Sequence, residues 1–237
     1  YEEYEEEGSL KEAIHFERVT FAYEGQDAIL DEVDVTFKKG GKYLIIGPSG
    51  GGKSTLLKLL RKYFNPIKGT IWIDHKPLKG IKKEAYFRKI TNVEQKVFLF
   101  EDTLRNNLTL YKDYSEEEIW AALTKAGLKE FVKTHEGGLD YMIYEDGKNV
   151  SGGEKSRIAI ARGLLEHADL ILLDEAFSNL DYDKAREIEQ SLLELEDVTV
   201  IHISHVLFKE HEEQYDGIYM VKNKKVYPYK KTPMIAS

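Results

Sequence analysis

The beginning of the chain alternates apolar and polar residues with a period near two. The apolar positions in this stretch are Ile14, Phe16, Val19, Phe21, Tyr23, Val33, Val35 and Phe37. Because successive side chains of a strand point to opposite faces, this period predicts strands with one buried face. Apolar runs at residues 43–46 and 70–74 predict two more strands.

Farther along the chain, apolar residues recur at the spacing that is typical of helices. Ser115 and Glu118 form a capping-box pattern just before Ile119, so a helix is predicted to start there. Other helices are predicted at residues 128–134, 154–166 and 182–194.

Two mostly apolar segments follow the third and fourth of these helices: residues 169–174, with four consecutive apolar residues, and residues 198–203. Runs of this kind predict strands that are buried on both faces. Residues 219–229 predict a final hairpin about Asn223. Strands first, followed by alternating helices and strands, predict an α/β fold whose core carries a smaller helical lobe.

Residues 47–54 match the phosphate-loop pattern G-x-x-x-x-G-K-[ST]. A predicted strand precedes them and a predicted amphipathic helix, 55–60, follows, which is the context that a phosphate-binding loop requires. Glycines let the backbone wrap around an anion, and the dipole of the following helix adds to the attraction. The predicted nucleotide-binding residues of this segment are Gly47, Ser49, Gly50, Gly51, Gly52, Lys53, Ser54 and Thr55.

Specific roles follow for four polar residues. Lys53 is expected to reach the β- and γ-phosphates of a nucleoside triphosphate, and the Ser54 hydroxyl to ligate Mg²⁺. The apolar run that starts at Leu170 ends in Asp174 and Glu175. An acid at such a strand end holds the hydrated Mg²⁺ in phosphate-loop enzymes, so Asp174 is a predicted metal ligand. Glu175 is predicted to act on the attacking water as a general base.

Further motifs resemble those of the ABC ATPases and occur in the same order. The segment from Ser151 to Glu154 resembles the family signature LSGGQ, with Val150 in the place of leucine. The other matches are Gln95 for the Q-loop glutamine, Asp181 for the D-loop, His205 for the switch histidine and Tyr23 for the A-loop aromatic. Each motif is weak alone, but their shared order over residues 14–225 is specific. The resemblance implies a RecA-like ATPase core with an N-terminal antiparallel β subdomain and an inserted α-helical lobe.

The resemblance also implies that two such domains bind two ATP molecules between them, head to tail. Ser151, Gly152 and Gly153 would then contact the γ-phosphate that is bound to the partner domain. Tyr23 would stack on adenine, and Gln95 would contact both Mg²⁺ and the γ-phosphate. His205 would steady the attacking water, and Asp181 would reach the partner's phosphate loop.

Glu154 departs from the family pattern, which has glutamine at this position. The extra negative charge would lie near the partner's nucleotide, so one interpretation is weaker dimer closure. A carboxylate also favours a helix N-terminus, so the other interpretation is a neutral change.

Composition narrows the classes of function. The chain has 237 residues, a net charge of -8 and no cysteine. The negative charge argues against a nucleic-acid partner, and the lack of cysteine excludes disulfides and thiol catalysis. No apolar run approaches the length of a membrane span. The acidic start at Tyr1 predicts a linker from a transmembrane domain that is missing from this sequence.

The predicted organisation has an acidic linker at 1–13 and the β subdomain with the first part of the ATPase core at 14–92. The Q-loop and helical lobe occupy 93–154, and the rest of the core with a C-terminal hairpin and tail occupies 155–237.

The segment 98–107 resembles the region LF-x-x-T-x-x-N of exporters, where a groove receives helices from the membrane part. We therefore expect the ATPase domain of an exporter that works as a dimer at the cytoplasmic face of the cell membrane. Its partners would be a second ABC ATPase domain and a transmembrane domain fused upstream. An importer's free-standing ATPase subunit and a regulatory module with weak hydrolysis are the alternatives.

Overall fold

The computed structural model of the chain describes residues 10–229. Residues 1–9, with most of the predicted linker, and residues 230–237 of the predicted tail lie outside the described part. Within residues 10–229, no helix is both long enough and apolar enough to cross a bilayer.

The strands are β1 (Ala13–Ala22), β2 (Ala28–Lys38), β3 (Lys42–Ile46), β4 (Lys68–Ile73), β5 (Lys76–Pro77), β6 (Ile90–Val93), β7 (Asp102–Thr103), β8 (Met142–Ile143), β9 (Leu170–Asp174), β10 (Thr199–Ile203), β11 (Gly217–Lys222) and β12 (Lys225–Pro228). The α-helices are α1 (Lys53–Leu60), α2 (Lys83–Phe87), α3 (Leu104–Thr109), α4 (Glu116–Lys125), α5 (Lys129–Thr134), α6 (Gly152–Leu165) and α7 (Tyr182–Leu193).

A four-stranded antiparallel sheet contains the N-terminal strands in the order β2-β1-β4-β5. Burial alternates along β2, so that Val33, Val35 and Phe37 face the core while the residues between them are exposed. The period of two in the sequence therefore predicted this buried face correctly.

Residues 10–13 belong to this part of the fold and not to the predicted linker. The carboxylate of Asp74 accepts hydrogen bonds from the backbone N–H groups of Lys11 at 2.9 Å, Glu12 at 2.6 Å and Ala13 at 3.0 Å. Leu10 is buried. A run of charge in the sequence does not reveal contacts of this kind, because they join residues far apart in the chain.

A six-stranded sheet forms the centre of the molecule, in the order β12-β11-β3-β10-β9-β6. Its strands run parallel except for β12, which pairs antiparallel with β11. Parallel strands end at the same edge, so the residues after β3, β9 and β10 come together there. This edge brings the phosphate loop, Glu175 and His205 into one region.

Helices cover both faces of this sheet. Leu172 packs in the same core as α1, whereas its neighbour Leu173 packs in the core of α6 and α7. Adjacent residues of a strand point to opposite faces, so α1 and α6 lie on opposite sides of the sheet. The structure thus combines the phosphate-loop ATPase fold with an antiparallel sheet and a helical lobe of α3 to α5.

The helix predictions differ from the structure mainly at their ends. The capping box of Ser115 and Glu118 is present as predicted. Helix α6 begins at Gly152, earlier than the predicted residue 154, because the Ser151 side chain accepts a hydrogen bond from the Glu154 N–H. The short helices α2 and α3 had no signal in the periodicity.

Candidate nucleotide site

The phosphate loop connects the end of β3 to the start of α1. Gly47 has a φ of 148°, and a Cβ at this position would collide with the carbonyl oxygen of Val221 in β11. Gly52, with a φ of 102°, is the N-cap of α1 and provides no side-chain acceptor. The first N–H groups of α1 therefore lack the usual cap, which is the arrangement that anion binding at a helix N-terminus needs.

Lys53 extends back across this loop. Its side chain is only 4% exposed, and its Nζ donates a hydrogen bond to the Gly47 carbonyl oxygen at 2.6 Å. The same Nζ lies 3.8 Å from Oε1 of Glu175. A buried ammonium group needs such partners, and phosphate oxygens would be stronger ones because they carry charge.

Ser54 and Asp174 form a second pair in the site. The Ser54 hydroxyl donates to Oδ1 of Asp174 at 3.2 Å. Hydroxyl and carboxylate oxygens are ligands that Mg²⁺ prefers, and phosphates and water usually complete its shell. In the described part of the chain, no group of three or more His, Cys, Asp or Glu side chains could hold a metal ion. The pair fits an ion that is shared with bound phosphates.

Glu175 and His205 are in direct contact. Nε2 of His205 lies 2.6 Å from Oε1 of Glu175. Glu175 has a φ of 52°, which is rare for a residue with a side chain, and its N–H donates to the Ile203 carbonyl oxygen at 2.9 Å. Neither Asp174 nor Glu175 caps the following helix, since the N-cap of α7 is Asp181. The carboxylate of Glu175 thus lies between a lysine and a histidine.

Gln95 and Tyr23 lie at the borders of this region. The Gln95 side-chain amide donates to the hydroxyl of Ser178, a residue of the turn that follows Glu175. The Tyr23 hydroxyl lies 3.0 Å from Oγ1 of Thr55, in the first turn of α1. Ser178 was not among the predicted site residues, although it is the first residue of the segment 178–181 that resembles the D-loop.

The signature residues lie at the start of α6 and pack against the segment that leads into α7. The Ser151 hydroxyl accepts from the Glu154 N–H at 3.3 Å. A Cβ on Gly152 would be 3.0 Å from the Leu180 side chain, so glycine permits this close packing. Asp181 accepts from the Lys184 N–H at 2.9 Å and caps α7. The signature and D-loop are therefore neighbours, on the sheet face opposite α1.

An aromatic surface, defined here as Phe98, Phe100 and Tyr111, lies on the helical lobe. Phe98 and Tyr111 are each 66% exposed, so Phe98 is not a core residue. Arg162 of α6 supports this surface: it donates to the Phe98 carbonyl oxygen at 2.8 Å, and its guanidinium carbon lies 5.7 Å from the Phe100 ring centre. Burial lowers the pKa of Arg162 to about 10, so the group stays charged at neutral pH. No motif or periodicity in the sequence had indicated this role for Arg162.

The glycine-lined loop, the buried Lys53 and the paired Ser54 and Asp174 define the class of phosphate-loop nucleotide-binding proteins. The family described as "ABC transporter" matches residues 30–178. The chain therefore belongs to the ABC transporter family, and it is an ATP-binding ATPase domain of that family.

Several relatives share most of this chain. An uncharacterized ABC transporter ATP-binding protein of Bacillus subtilis, YwjA, is 38% identical over 200 residues, which are 84% of this chain and 35% of that protein. An ATP-dependent lipid A-core flippase of Yersinia pestis is 37% identical over 215 residues, 87% of this chain and 37% of the flippase.

Among solved structures, a bacterial Atm1-family ABC exporter with ATP bound superposes with a TM-score of 0.78 at 31% identity. The match covers 91% of this chain and 38% of the exporter. The chain thus spans somewhat more than a third of the length of its relatives.

Proposed function

We propose that this chain hydrolyses ATP between two head-to-tail ATPase domains and so drives the export of a substrate across a membrane. The observation that carries the proposal is the placement of Glu175, 3.8 Å from Lys53 and 2.6 Å from His205. A general base must lie close to the groups that hold the reacting phosphate. This contact favours hydrolysis over a regulatory module that only binds ATP.

Phosphate binding changes the partners of Lys53 in this scheme. Its ammonium group moves from the Gly47 carbonyl oxygen and Glu175 to the β- and γ-phosphate oxygens. Glu175 is thereby released from one cation and accepts a proton from the attacking water. The water oxygen bonds to the γ-phosphorus as the bond to the β–γ bridging oxygen breaks. His205 keeps the carboxylate and the water in line.

The proposed metal ligands are Ser54, Asp174 and Gln95. The 3.2 Å bond between Ser54 and Asp174 supports the first two. The contact of Gln95 with Ser178 supports the third, because it holds the amide beside the turn after Glu175. Mg²⁺ would supply charge neutralisation at the β- and γ-phosphates.

The second half of each site would come from a partner ATPase domain, either a second copy or a related chain. Helices α1 and α6 pack on opposite faces of the sheet, which supports a role for Ser151, Gly152 and Gly153 at another domain's nucleotide. Asp181 would contact the partner's phosphate loop, since it adjoins Leu180, which packs on Gly152. Tyr23 would stack on adenine beside α1.

A transmembrane partner, fused upstream in the full-length protein, would dock on the aromatic surface. The exposure of Phe98 and Tyr111 supports this, since large exposed apolar groups mark interaction sites. The flippase and exporter names of the relatives favour export over import. The domain would then work at the cytoplasmic face of the cell membrane.

Light scattering on the Glu175→Gln variant tests the sandwich. Without the general base, bound ATP persists, and we expect a shift from monomer to dimer only when ATP and Mg²⁺ are added. Turnover of the variant should fall by about 10²- to 10⁴-fold, the range for a positioned base. Glu117→Gln, an exposed change at the start of α4, is the matched control.

Two results would contradict the proposal. Normal turnover by Glu175→Gln would remove Glu175 from the role of general base. A variant that binds ATP and yet stays monomeric at every protein concentration would exclude an ATP-driven dimer of this chain.

A further inference from the structure

Three titratable side chains that the proposed mechanism does not use meet in the interior. They form a buried cluster of Glu189 on α7, His202 on β10 and His211 in the 3-10 turn Lys209–Gln214. Glu189 is 1% exposed, and both histidines are 2% exposed. Nδ1 of His211 lies 2.8 Å from Oε1 of Glu189, and Nδ1 of His202 lies 3.5 Å from Oε2.

A cluster of this kind is costly to bury. Oε2 of Glu189 and Nδ1 of His202 have no hydrogen-bond partner within the described residues. The other buried positions of α7 are apolar, and an apolar residue at position 189 would pack there without this cost. Stability alone therefore does not account for Glu189.

The place of the two histidines in the chain indicates another role. His202 precedes His205 and His211 follows it, and both contact the same carboxylate. Glu189 therefore joins both ends of the segment that carries His205, by a hydrogen bond to His211 and by a packing contact with His202. The ring of His202 also lies 5.2 Å from the ring of Phe177, which follows Glu175 closely in the chain.

We propose that Glu189 is a positioning residue for His205, because it bonds to His211 and contacts His202 at the two ends of the segment 202–211, and so keeps Nε2 of His205 on Glu175. The role rests on the proposed function of His205 in ATP hydrolysis. Helix α7, which begins at the Asp181 cap, would move together with His205, since Glu189 joins them.

The surroundings of the cluster disfavour a permanent ion pair between His202 and Glu189. Burial lowers the pKa of His202, while Glu189 and Asp174 raise it and His211 lowers it further. His202 is therefore neutral at neutral pH. Burial and the negative charge of Glu189 raise the pKa of Tyr215 well above its ordinary value, so this neighbour is neutral too.

The test compares Glu189→Leu with Glu189→Gln. Glutamine keeps an oxygen that accepts from His211 and adds an N–H for the unpaired Nδ1 of His202, whereas leucine provides neither. We expect Glu189→Leu to lower kcat by about 10- to 100-fold, the cost of a misplaced catalytic group. Since the phosphate loop is unchanged, KM for ATP should stay within about twofold. Glu189→Gln should retain most of the activity.

An NMR measurement of the His205 imidazole adds a readout that does not depend on activity. In Glu189→Leu the resonance should shift and broaden, and in Glu189→Gln it should stay in place. The control Ile73→Val, a buried truncation in β4, should leave both kcat and the resonance unchanged.

If Glu189→Leu does not fold, the triple variant Glu189→Leu, His202→Val and His211→Leu replaces the test. Replacement of all members of a buried polar cluster by apolar residues is often tolerated, so the triple variant should fold. A stable triple variant with reduced kcat and a shifted His205 resonance supports the proposal. Full kcat and an unchanged resonance overturn it. If the unmodified chain hydrolyses no ATP, the proposed function fails, and the resonance still decides the positioning role.

Discussion

Helices α1 and α6 both begin next to serine and glycine residues, yet their N-termini differ. At α1 the N-cap is Gly52, which provides no side-chain acceptor. At α6 the N-cap is Ser151, whose hydroxyl already accepts from the Glu154 N–H at 3.3 Å. The first turn of α6 also carries the acidic Glu154, whereas the first turn of α1 carries no acidic residue.

Because of this difference, the N-termini of α1 and α6 are suited to different roles in phosphate binding. The N–H groups of α1 are free of side-chain caps, so an anion binds them without breaking a bond. The N-terminus of α6 must release its own cap or share it, and it must tolerate a nearby carboxylate. We infer that α1 provides most of the affinity for ATP, and that α6 adds a weaker interaction on which dimer assembly depends.

The largest difference is expected between the lysines near the two helix starts. Lys53→Ala removes a buried cation from the phosphate loop and should weaken ATP binding by about 10- to 100-fold, as expected for a hydrogen bond to a charged group. Lys155→Ala removes a lysine that donates to the Asp146 carbonyl oxygen at 3.3 Å, and the affinity should stay within about threefold. Calorimetry measures both, and equal losses would contradict the comparison.

The serines should show the opposite order in stability. Ser151→Ala removes a helix cap and should lower the free energy of unfolding by about 1 kcal/mol. Ser54→Ala removes no cap and loses only the part-buried hydrogen bond to Asp174 at 3.2 Å, so the loss should be smaller, about 0.5 kcal/mol. Denaturant titration of the two variants measures the difference. If Ser54→Ala is the more destabilised variant, the assignment of the two helix ends is wrong.

A smaller effect is expected from Glu154→Gln. If the carboxylate opposes the approach of a partner's nucleotide, its removal should raise ATPase activity by about two- to fivefold, the effect of one charge at a helix end. The measurement requires a protein concentration below that which saturates the dimer. An unchanged rate would show that glutamate at this position is neutral.

Acid should lower the free energy of unfolding of all these variants by the same amount, so it should not change the comparison of α1 with α6. Burial lowers the pKa of His202 below its ordinary value of 6.5 and outweighs Glu189 and Asp174, which raise it. The nearby His211 lowers the pKa further. The unfolded chain therefore binds this proton more readily, so the free energy of unfolding should fall as the pH drops below 6.5. Unfolding of His202→Val across this range should show a shallower slope, and an equal slope would contradict the assignment.

The sequence predicted those parts of the fold that depend on local periodicity. The strands β9 and β10 were evident as apolar runs, and the helix after Ser115 from its cap. Helix α3 was missed because it depends on a tertiary contact: Nε of Arg162 in α6 donates to the Asn107 carbonyl oxygen at 2.6 Å.

For the candidate site, the order of the motifs predicted which residues belong to it, but not the contacts between their side chains. The contact of His205 with Glu175 and the left-handed backbone of Glu175 come from strand pairing, which no single motif contains. The buried cluster was invisible for the same reason. His202 interrupts an apolar run. Its partner Glu189 lies in α7, where most of the residues around it in the sequence are polar. The catalytic and binding roles of the individual residues stay predictions until the variants are measured.

The position of β3 has a consequence for the order in which the molecule is made. This strand, which leads into the phosphate loop, pairs with β10 and β11 and lies between them. Both neighbours come from the far end of the chain, so a ribosome releases the phosphate loop long before the strands that hold it. Such distant pairing is slow and leaves apolar strands unprotected during synthesis. A nascent chain that stops before Gly217 contains every residue of the loop and lacks the strand against which Gly47 packs.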